Sequence, residues 1–266
     1  MIPLVDTHCH LLAGLDDGPR TVDDALVMCR MAWEEGTRVV AATAHLGEQW
    51  PNVTPDRIRR ATLELEAELT AAQLPLTVYP TAEVAIRPEL DQLWQRGELL
   101  GVSGRNRYLL IEMPAGQLVD IHRLVCQLDA LGVRLVLAHA ERYPELLYDR
   151  GAMDELVRIG CVIQVSSDSI TEPLRRGDTQ ILKRWIRRGL VHLIASDGHS
   201  RDRRPPRMAA AYRRIVRWAG ENVANRLCSI NGLIVLEGLP LRAPPPELRR
   251  KHWFSRSIAA GPRTHS

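Results

Sequence analysis

No run of about 18 apolar residues occurs in this 266-residue chain, which excludes a membrane-spanning helix. Cysteine is sparse: Cys9, Cys29, Cys126, Cys161 and Cys228 are odd in number, form no Cys-Xaa-Xaa-Cys pair and read as reduced thiols. There is little room for a signal peptide, because Met1 leads straight into an apolar run bearing Asp6 and His8; this predicts a cytoplasmic protein. A basic surface is also missing from most of the chain. Residues 241–266 hold six basic residues and one acidic, for a charge of +5, so the remainder carries −2 and offers no footprint for nucleic acid. What is present, 45% hydrophobic and 25% charged residues, suits one enzyme-sized soluble domain.

The informative pattern is where short apolar runs stop. Residues 2–5 run into Asp6-Thr7-His8-Cys9-His10, and residues 39–44 into His45. Residues 78–82 lead to Glu83, 108–111 to Glu112, 135–138 to His139, and 193–196 to Asp197-Gly198-His199. Only the run at 161–163 departs, meeting Gln164. Between the runs lie amphipathic stretches expected to be helical at about 21–35, 55–73, 88–97, 118–131, 150–159, 176–188 and 206–236. Thr21 is placed to cap the first, with Asp24 three residues on, and Pro55 suits the first turn of the second. Strand and helix alternating seven times predict an α/β fold: a single-domain, somewhat distorted seven-stranded parallel β/α barrel, related to the eight-stranded TIM type. In such a barrel the strands' C-terminal ends share one face, so ligand-type residues scattered over two hundred positions would meet.

On an extended strand alternate side chains share a face, so His8 and His10 can chelate one ion while Cys9 points away and packs. Asp197 and His199 repeat the i, i+2 spacing with a carboxylate and an imidazole, a set suited to Mn, Fe or Zn. Asp16-Asp17-Gly18 offers a carboxylate from a nearby turn, and His45, Glu83, Glu112 and His139 complete the candidates. His122 falls on an expected helix, His192 begins a strand, and His252 and His265 lie in the tail, so these four are set aside.

The segments Asp6-Thr7-His8-Cys9-His10, Asp16-Asp17-Gly18-Pro19, Ala42-Thr43-Ala44-His45, Ala138-His139-Ala140-Glu141-Arg142-Tyr143, Ser196-Asp197-Gly198-His199 and Arg204-Pro205-Pro206-Arg207-Met208 resemble the polymerase and histidinol phosphatase (PHP) superfamily. Within it they are most similar to the manganese-dependent bacterial protein-tyrosine phosphatases of capsular and extracellular polysaccharide production. The likeness covers residues 1–240, with 241–266 left as a basic extension. It implies a PHP-type barrel holding Mn²⁺, three ions in all, with Fe, Zn, Co or Mg as other candidates. His8, His10, Asp17, His45, Glu83, Glu112, His139, Asp197 and His199 fall on the family's ligand positions, with Glu83 as a bridge. Arg142 and Arg204 match the arginines that surround the substrate phosphate; Arg204 is chosen among Arg201, Arg203, Arg204 and Arg207 for its place before Pro205-Pro206. Ala44 and Ala140 stand where the family often carries proline.

The implied activity is metal-dependent hydrolysis of phosphotyrosine in proteins, and the implied partner is the phosphorylated tail of a bacterial tyrosine kinase. A thiolate phosphatase needs arginine at the sixth position after cysteine; those positions hold Leu15, Glu35, Gly132, Ser167 and Ile234, so that mechanism is excluded. Two alternatives stay open: a small-molecule phosphatase of the histidinol phosphatase kind or a phosphodiesterase on the same metals, and a catalytically silent metal-binding regulatory module. The tail, with Pro244-Pro245-Pro246 and Trp253-Phe254, reads as a solvated, disordered extension; weak contact with an anionic membrane surface is the competing reading.

Overall fold

The computed structural model describes residues 2–114, 117–149, 151–172 and 177–241. Its seven strands are β1 (Leu4–His10), β2 (Thr37–Leu46), β3 (Thr77–Ala85), β4 (Tyr108–Glu112), β5 (Arg134–Leu137), β6 (Val162–Ser166) and β7 (Leu193–Ala195). They lie side by side in sequence order, each parallel to the next. The seam between β1 and the chain leaving β7 is joined by two backbone hydrogen bonds, Asp197 N to His8 O and His10 N to Gly198 O, both 2.8 Å. This is the expected seven-stranded barrel, and its last junction lies inside the candidate site.

The helices follow from their caps and apolar spacing. In α1 (Val22–Glu34) Thr21 Oγ1 accepts from Asp24 N at 3.2 Å, and Ala25, Met28, Cys29 and Ala32 form the buried stripe. In α2 (Pro55–Ala71) Thr54 caps, Pro55 opens the first turn, and Ile58, Thr62, Leu65 and Leu69 face inward. The outer layer continues through α3 (Leu90–Gln95), α4 (His122–Ala130), α5 (Pro144–Tyr148), α6 (Ala152–Arg158), α7 (Ser167–Thr171), α8 (Asp178–Arg187), α9 (Ala209–Ala219), α10 (Glu221–Asn225) and α11 (Asn231–Leu236). The short α5 and α7 were not expected. The helical region foreseen over 206–236 is interrupted: Gly220, at φ 91°, ends α9, and a π turn at Arg226–Ile230 precedes α11.

Strand alternation sorts side chains into two layers. Outward residues such as Leu4, Val40, Ala42, Val78, Leu109, Leu135 and Ile163 pack under the helices. Inward ones, including Val5, Ala41, Leu110, Val136, Val162 and Leu193, fill the barrel's lower half with Val235 and Leu236 of α11. Higher up the same inward rows turn polar: Ala41 is followed by Thr43 and His45, Leu110 by Glu112, and Val162 by Gln164. On β1 strict alternation would put Val5 and His8 on opposite faces. A register shift between Asp6 and Cys9 resets the alternation and lets His8 and His10 follow Val5 inward. Leu241, counted with the tail in the sequence reading, is 6% exposed, its N–H donating to Tyr108 Oη and its carbonyl accepting from Arg134. The remainder of that tail, from residue 242, lies outside the described residues.

Gly198 is the close point of the seam. A Cβ there would stand 3.0 Å from Pro206 Cα and 3.1 Å from Cys9 Sγ. Gly198→Ala should therefore destabilise the barrel by about 1–3 kcal/mol, the usual cost of overpacking. Urea unfolding of metal-stripped protein measures this, and an unchanged midpoint would show that the seam yields freely.

Candidate metal centre

The upper mouth of the barrel holds all nine residues singled out as ligands, and they meet in one cluster. Glu83, 1% exposed on β3, lies at its middle. Its Oε2 is 3.1 Å from His8 Nε2, 3.2 Å from His10 Nε2 and 3.3 Å from His45 Nδ1. Its Oε1 is 3.0 Å from His139 Nε2. Glu112 approaches His45 Nδ1 at 3.1 Å from the next strand. Asp17 Oδ1 is 3.4 Å from both His45 Nε2 and His199 Nε2, while Asp197 Oδ1 is 3.4 Å from His8 Nε2. Three overlapping sets bring their ligand atoms within 4.8 Å of one another: His10, Asp17, His45 and His199; His8, His10 and Asp197; His45, Glu83 and Glu112. His139 belongs to none of the three and joins through Glu83, with Glu112 Oε2 further off at 4.0 Å.

The hydrogen bonding of the imidazoles indicates what the cluster can hold. His8 Nδ1 donates to Gln164 Oε1 at 2.8 Å, and His10 Nδ1 donates to Asp16 Oδ2 at 2.7 Å. Gln164 is itself oriented, its amide NH₂ donating to Thr7 Oγ1 at 3.1 Å. His199 Nδ1 meets Asp197 O at 2.9 Å. As neutral imidazoles protonated at Nδ1, all three would turn an Nε2 lone pair toward the centre. His8 and His10 Nε2 are 3.1 Å apart, too close for two protonated nitrogens to face each other without repulsion. Two lone pairs converging beside a buried carboxylate suit a cation with more than one coordination direction, and outer hydrogen bonds that fix the imidazole tautomer are characteristic of metal sites. The donor set of imidazole and carboxylate fits a divalent first-row ion.

The electrostatics agree. Burial alone would raise Glu83, yet the surrounding imidazoles hold it well below the usual carboxylate range. Burial likewise opposes charge on His10, but Asp16 and Glu83 push it up to about 9; His45, against the same opposition, rises to about 11 beside Asp17 and Glu112. The cluster attracts positive charge strongly.

Several residues position the ligands. Asp6 Oδ1 accepts from Ser196 N at 2.9 Å and His8 N at 3.2 Å, pinning β1 to the end of β7, and burial pushes its carboxyl up to about 6. Glu141 accepts from Ser166 N at 3.0 Å and Ser169 Oγ at 2.8 Å, tying the loop after β5 to β6. His139 and Asp197 have φ of 33° and 52°, a left-handed conformation disfavoured for side-chain-bearing residues and tolerated where surrounding contacts enforce it. Arg142 and Arg204 converge on Asp197 Oδ2 from two loops. Sequence reasoning missed the orienting parts of Asp16 and Gln164. Gln164 stands at the strand-end position that the other six strands give to ligands, the one signal that could have found it. Cys9 is fully buried against Gly198 O, as expected of a packing residue. His192, set aside, is buried below the site, where its Nδ1 accepts from Ile163 N at 3.0 Å and burial pushes it down to about 4.

Above the cluster opens a cavity of about 270 Å³, lined by every expected ligand except His8 and His10 beneath it, and by Arg142, Tyr143 and Arg204. A parallel β/α barrel with clustered imidazoles and carboxylates at its strand ends, rimmed by arginines, defines a barrel protein equipped for metal-assisted chemistry on an anionic substrate. Comparison with known proteins narrows this. The family model described as capsular polysaccharide synthesis, CpsB/CapC, matches residues 4–237, and the chain belongs to that family. The chain is 28% identical over 246 residues to the tyrosine-protein phosphatase CpsB of Streptococcus agalactiae, covering 88% of this chain and 98% of the relative. It is 27% identical over 252 residues to the tyrosine-protein phosphatase YwqE of Bacillus subtilis, covering 94% and 99%. Among solved structures it is similar to one from work on YwqE of Bacillus subtilis and CpsB of Streptococcus pneumoniae, described as unique metal-dependent tyrosine phosphatases, with a TM-score of 0.85, 27% identity and coverage of 91% and 98%.

Removing an orienting group should loosen metal without emptying the ligand set. Gln164→Leu and Asp16→Asn are each expected to weaken Mn²⁺ binding about 10–100-fold in a chelator competition, while Cys9→Ser leaves it unchanged. Unaltered affinity in the first two would remove their orienting role.

Proposed function

We propose that this protein is a metal-dependent phosphomonoesterase that hydrolyses phosphotyrosine in proteins, and that its substrate is the phosphorylated tail of a tyrosine kinase acting in polysaccharide synthesis. The observation that carries the reading is Glu83 held between four imidazoles directly beneath two arginines. Three Mn²⁺ ions would be held by the three overlapping donor sets, with His139 beside Glu83 as a further donor. Divalent ions held there would polarise phosphoryl oxygens as Lewis acids and make a water molecule acidic enough to attack phosphorus.

The chain's own residues do the rest. Arg142 and Arg204 present planar guanidiniums that can pair with the nonbridging oxygens of a phosphate. Asp197 holds both in place; burial opposes its charge, but His8 and Arg142 keep it ionised, well below the usual range. Tyr143 is poorly disposed to protonate a leaving group. Burial pushes its hydroxyl up, and its oxygen is engaged with Met113, accepting from N at 3.0 Å and lying 3.4 Å from O. Phosphotyrosine does not need such an acid, since a phenol of pKa about 10 leaves with little protonation. The cavity is open enough to admit a side chain on a flexible peptide. Cytoplasmic residence fits an intracellular kinase tail as substrate, and no helix among the described residues is long and apolar enough to cross a membrane.

Protein loaded with Mn²⁺ should release phosphate from a phosphotyrosine peptide, chelation should abolish release, and Arg142→Ala should lower kcat/KM by about 10²–10³-fold. Bound metal without phosphotyrosine turnover, together with good turnover of a small alkyl phosphate, would move the assignment to a metabolite phosphatase.

A further inference from the structure

Beside the cavity over the cluster lies a second cleft of about 660 Å³, which adjoins it along Asp17, His199 and Arg204. Its lining includes Arg20, from the turn before α1, and the segment Arg201-Asp202-Arg203. Four aspartates and four arginines line the cleft, but the aspartates are already engaged. Asp16 is occupied by His10 and the backbone N–H of His45, and Asp17 lies against His45 and His199. Asp24 accepts from Thr21 at the head of α1 and lies 3.8 Å from Arg201, which also pairs with Asp202 at 3.3 Å. Arg20 and Arg203, both exposed, have no acidic partner among the described residues.

The loop that bears Arg203 is a fixed turn. Ser200 Oγ accepts from Arg203 N at 3.1 Å and Arg204 N at 3.2 Å, and Arg204 O accepts from His199 N at 2.8 Å. Adjacent side chains thereby serve adjoining spaces: Arg204 reaches Asp197 in the metal cavity, and Arg203 lines the cleft outside it. A peptide whose phosphotyrosine enters the cavity and whose neighbouring residues leave on this side meets unpaired guanidiniums, which bind carboxylate and phosphate alike.

We propose that this cleft is a second anion subsite, in which Arg20 and Arg203 take an anionic side chain, carboxylate or phosphate, carried by the substrate a few residues from its phosphotyrosine. The inference rests on the phosphotyrosine reading and deepens it, assigning preference to acidic or multiply phosphorylated segments.

The test uses metal-loaded full-length protein and three peptides alike except at one position near the phosphotyrosine: neutral, glutamate, or a second phosphotyrosine. Binding is read by fluorescence anisotropy with a non-hydrolysable phosphonate in place of the central phosphotyrosine, and turnover of free phosphotyrosine is read separately. At least one charged peptide should bind about fivefold more tightly than the neutral one, a preference that shrinks with added salt, and whichever does so names the anion. Arg20→Glu combined with Arg203→Glu should abolish the preference and leave turnover of free phosphotyrosine unchanged. Equal affinity for all three peptides, or a preference that survives both substitutions, overturns the subsite. Absence of free phosphotyrosine turnover in the unaltered protein would instead strike the phosphatase reading, while the binding comparison still decides the subsite.

Discussion

A carboxylate with 1% of its surface exposed must find positive charge close by or give up its own, and Glu83 finds it in four directions. The imidazoles around it come from β1, β2 and the loop after β5, so this one side chain on β3 draws together elements from most of the barrel's circumference. His8 and His10, whose Nδ1 atoms already donate to Gln164 and Asp16, cannot as neutral imidazoles donate to it as well. The cluster is best satisfied by cations that accept lone pairs from the imidazoles and charge from the carboxylates together. Orienting contacts from Gln164 and Asp16 make sense as supports for that arrangement.

The barrel closes at the same seam that carries the site. The hydrogen bonds that join β1 to the chain beyond β7 flank His8, His10 and Asp197, and Gly198 permits the approach because it has no side chain. The left-handed backbone at Asp197 and His139 is a local cost that the dense contacts around them sustain, a pattern common where function dictates side-chain direction. Arg142 and Arg204, on separate loops, are aligned by a shared carboxylate that also touches an imidazole of the cluster. The arginine pair and the cluster of imidazoles and carboxylates are thus linked through Asp197.

The barrel was legible in the sequence because seven apolar runs alternate with amphipathic stretches, and the location of the site was legible because six of those runs end in ligand-type residues. Details that depend on tertiary contacts were not. Nothing local distinguishes Asp17, facing His45 and His199, from Asp16, which turns under His10; the family resemblance made that choice. Gln164 looked like a break in the pattern because an amide is a poor metal ligand, and its use in fixing an imidazole appears only when β6 lies across from β1. The register shift on β1 leaves no mark in composition. The interruption after α9 was hidden because Gly220 stands in a stretch whose apolar spacing stays helical on both sides.

The central claim is that Glu83 knits a centre of several metal ions. Metal content per chain, measured after loading with Mn²⁺ and removal of excess, for the unaltered protein and for Glu83→Gln, tests it most directly. About three ions are expected in the first and a loss of at least one in the second, in line with three overlapping donor sets of which Glu83 belongs to one and borders the others. One ion or none in the unaltered protein, or the same content in both, would contradict it.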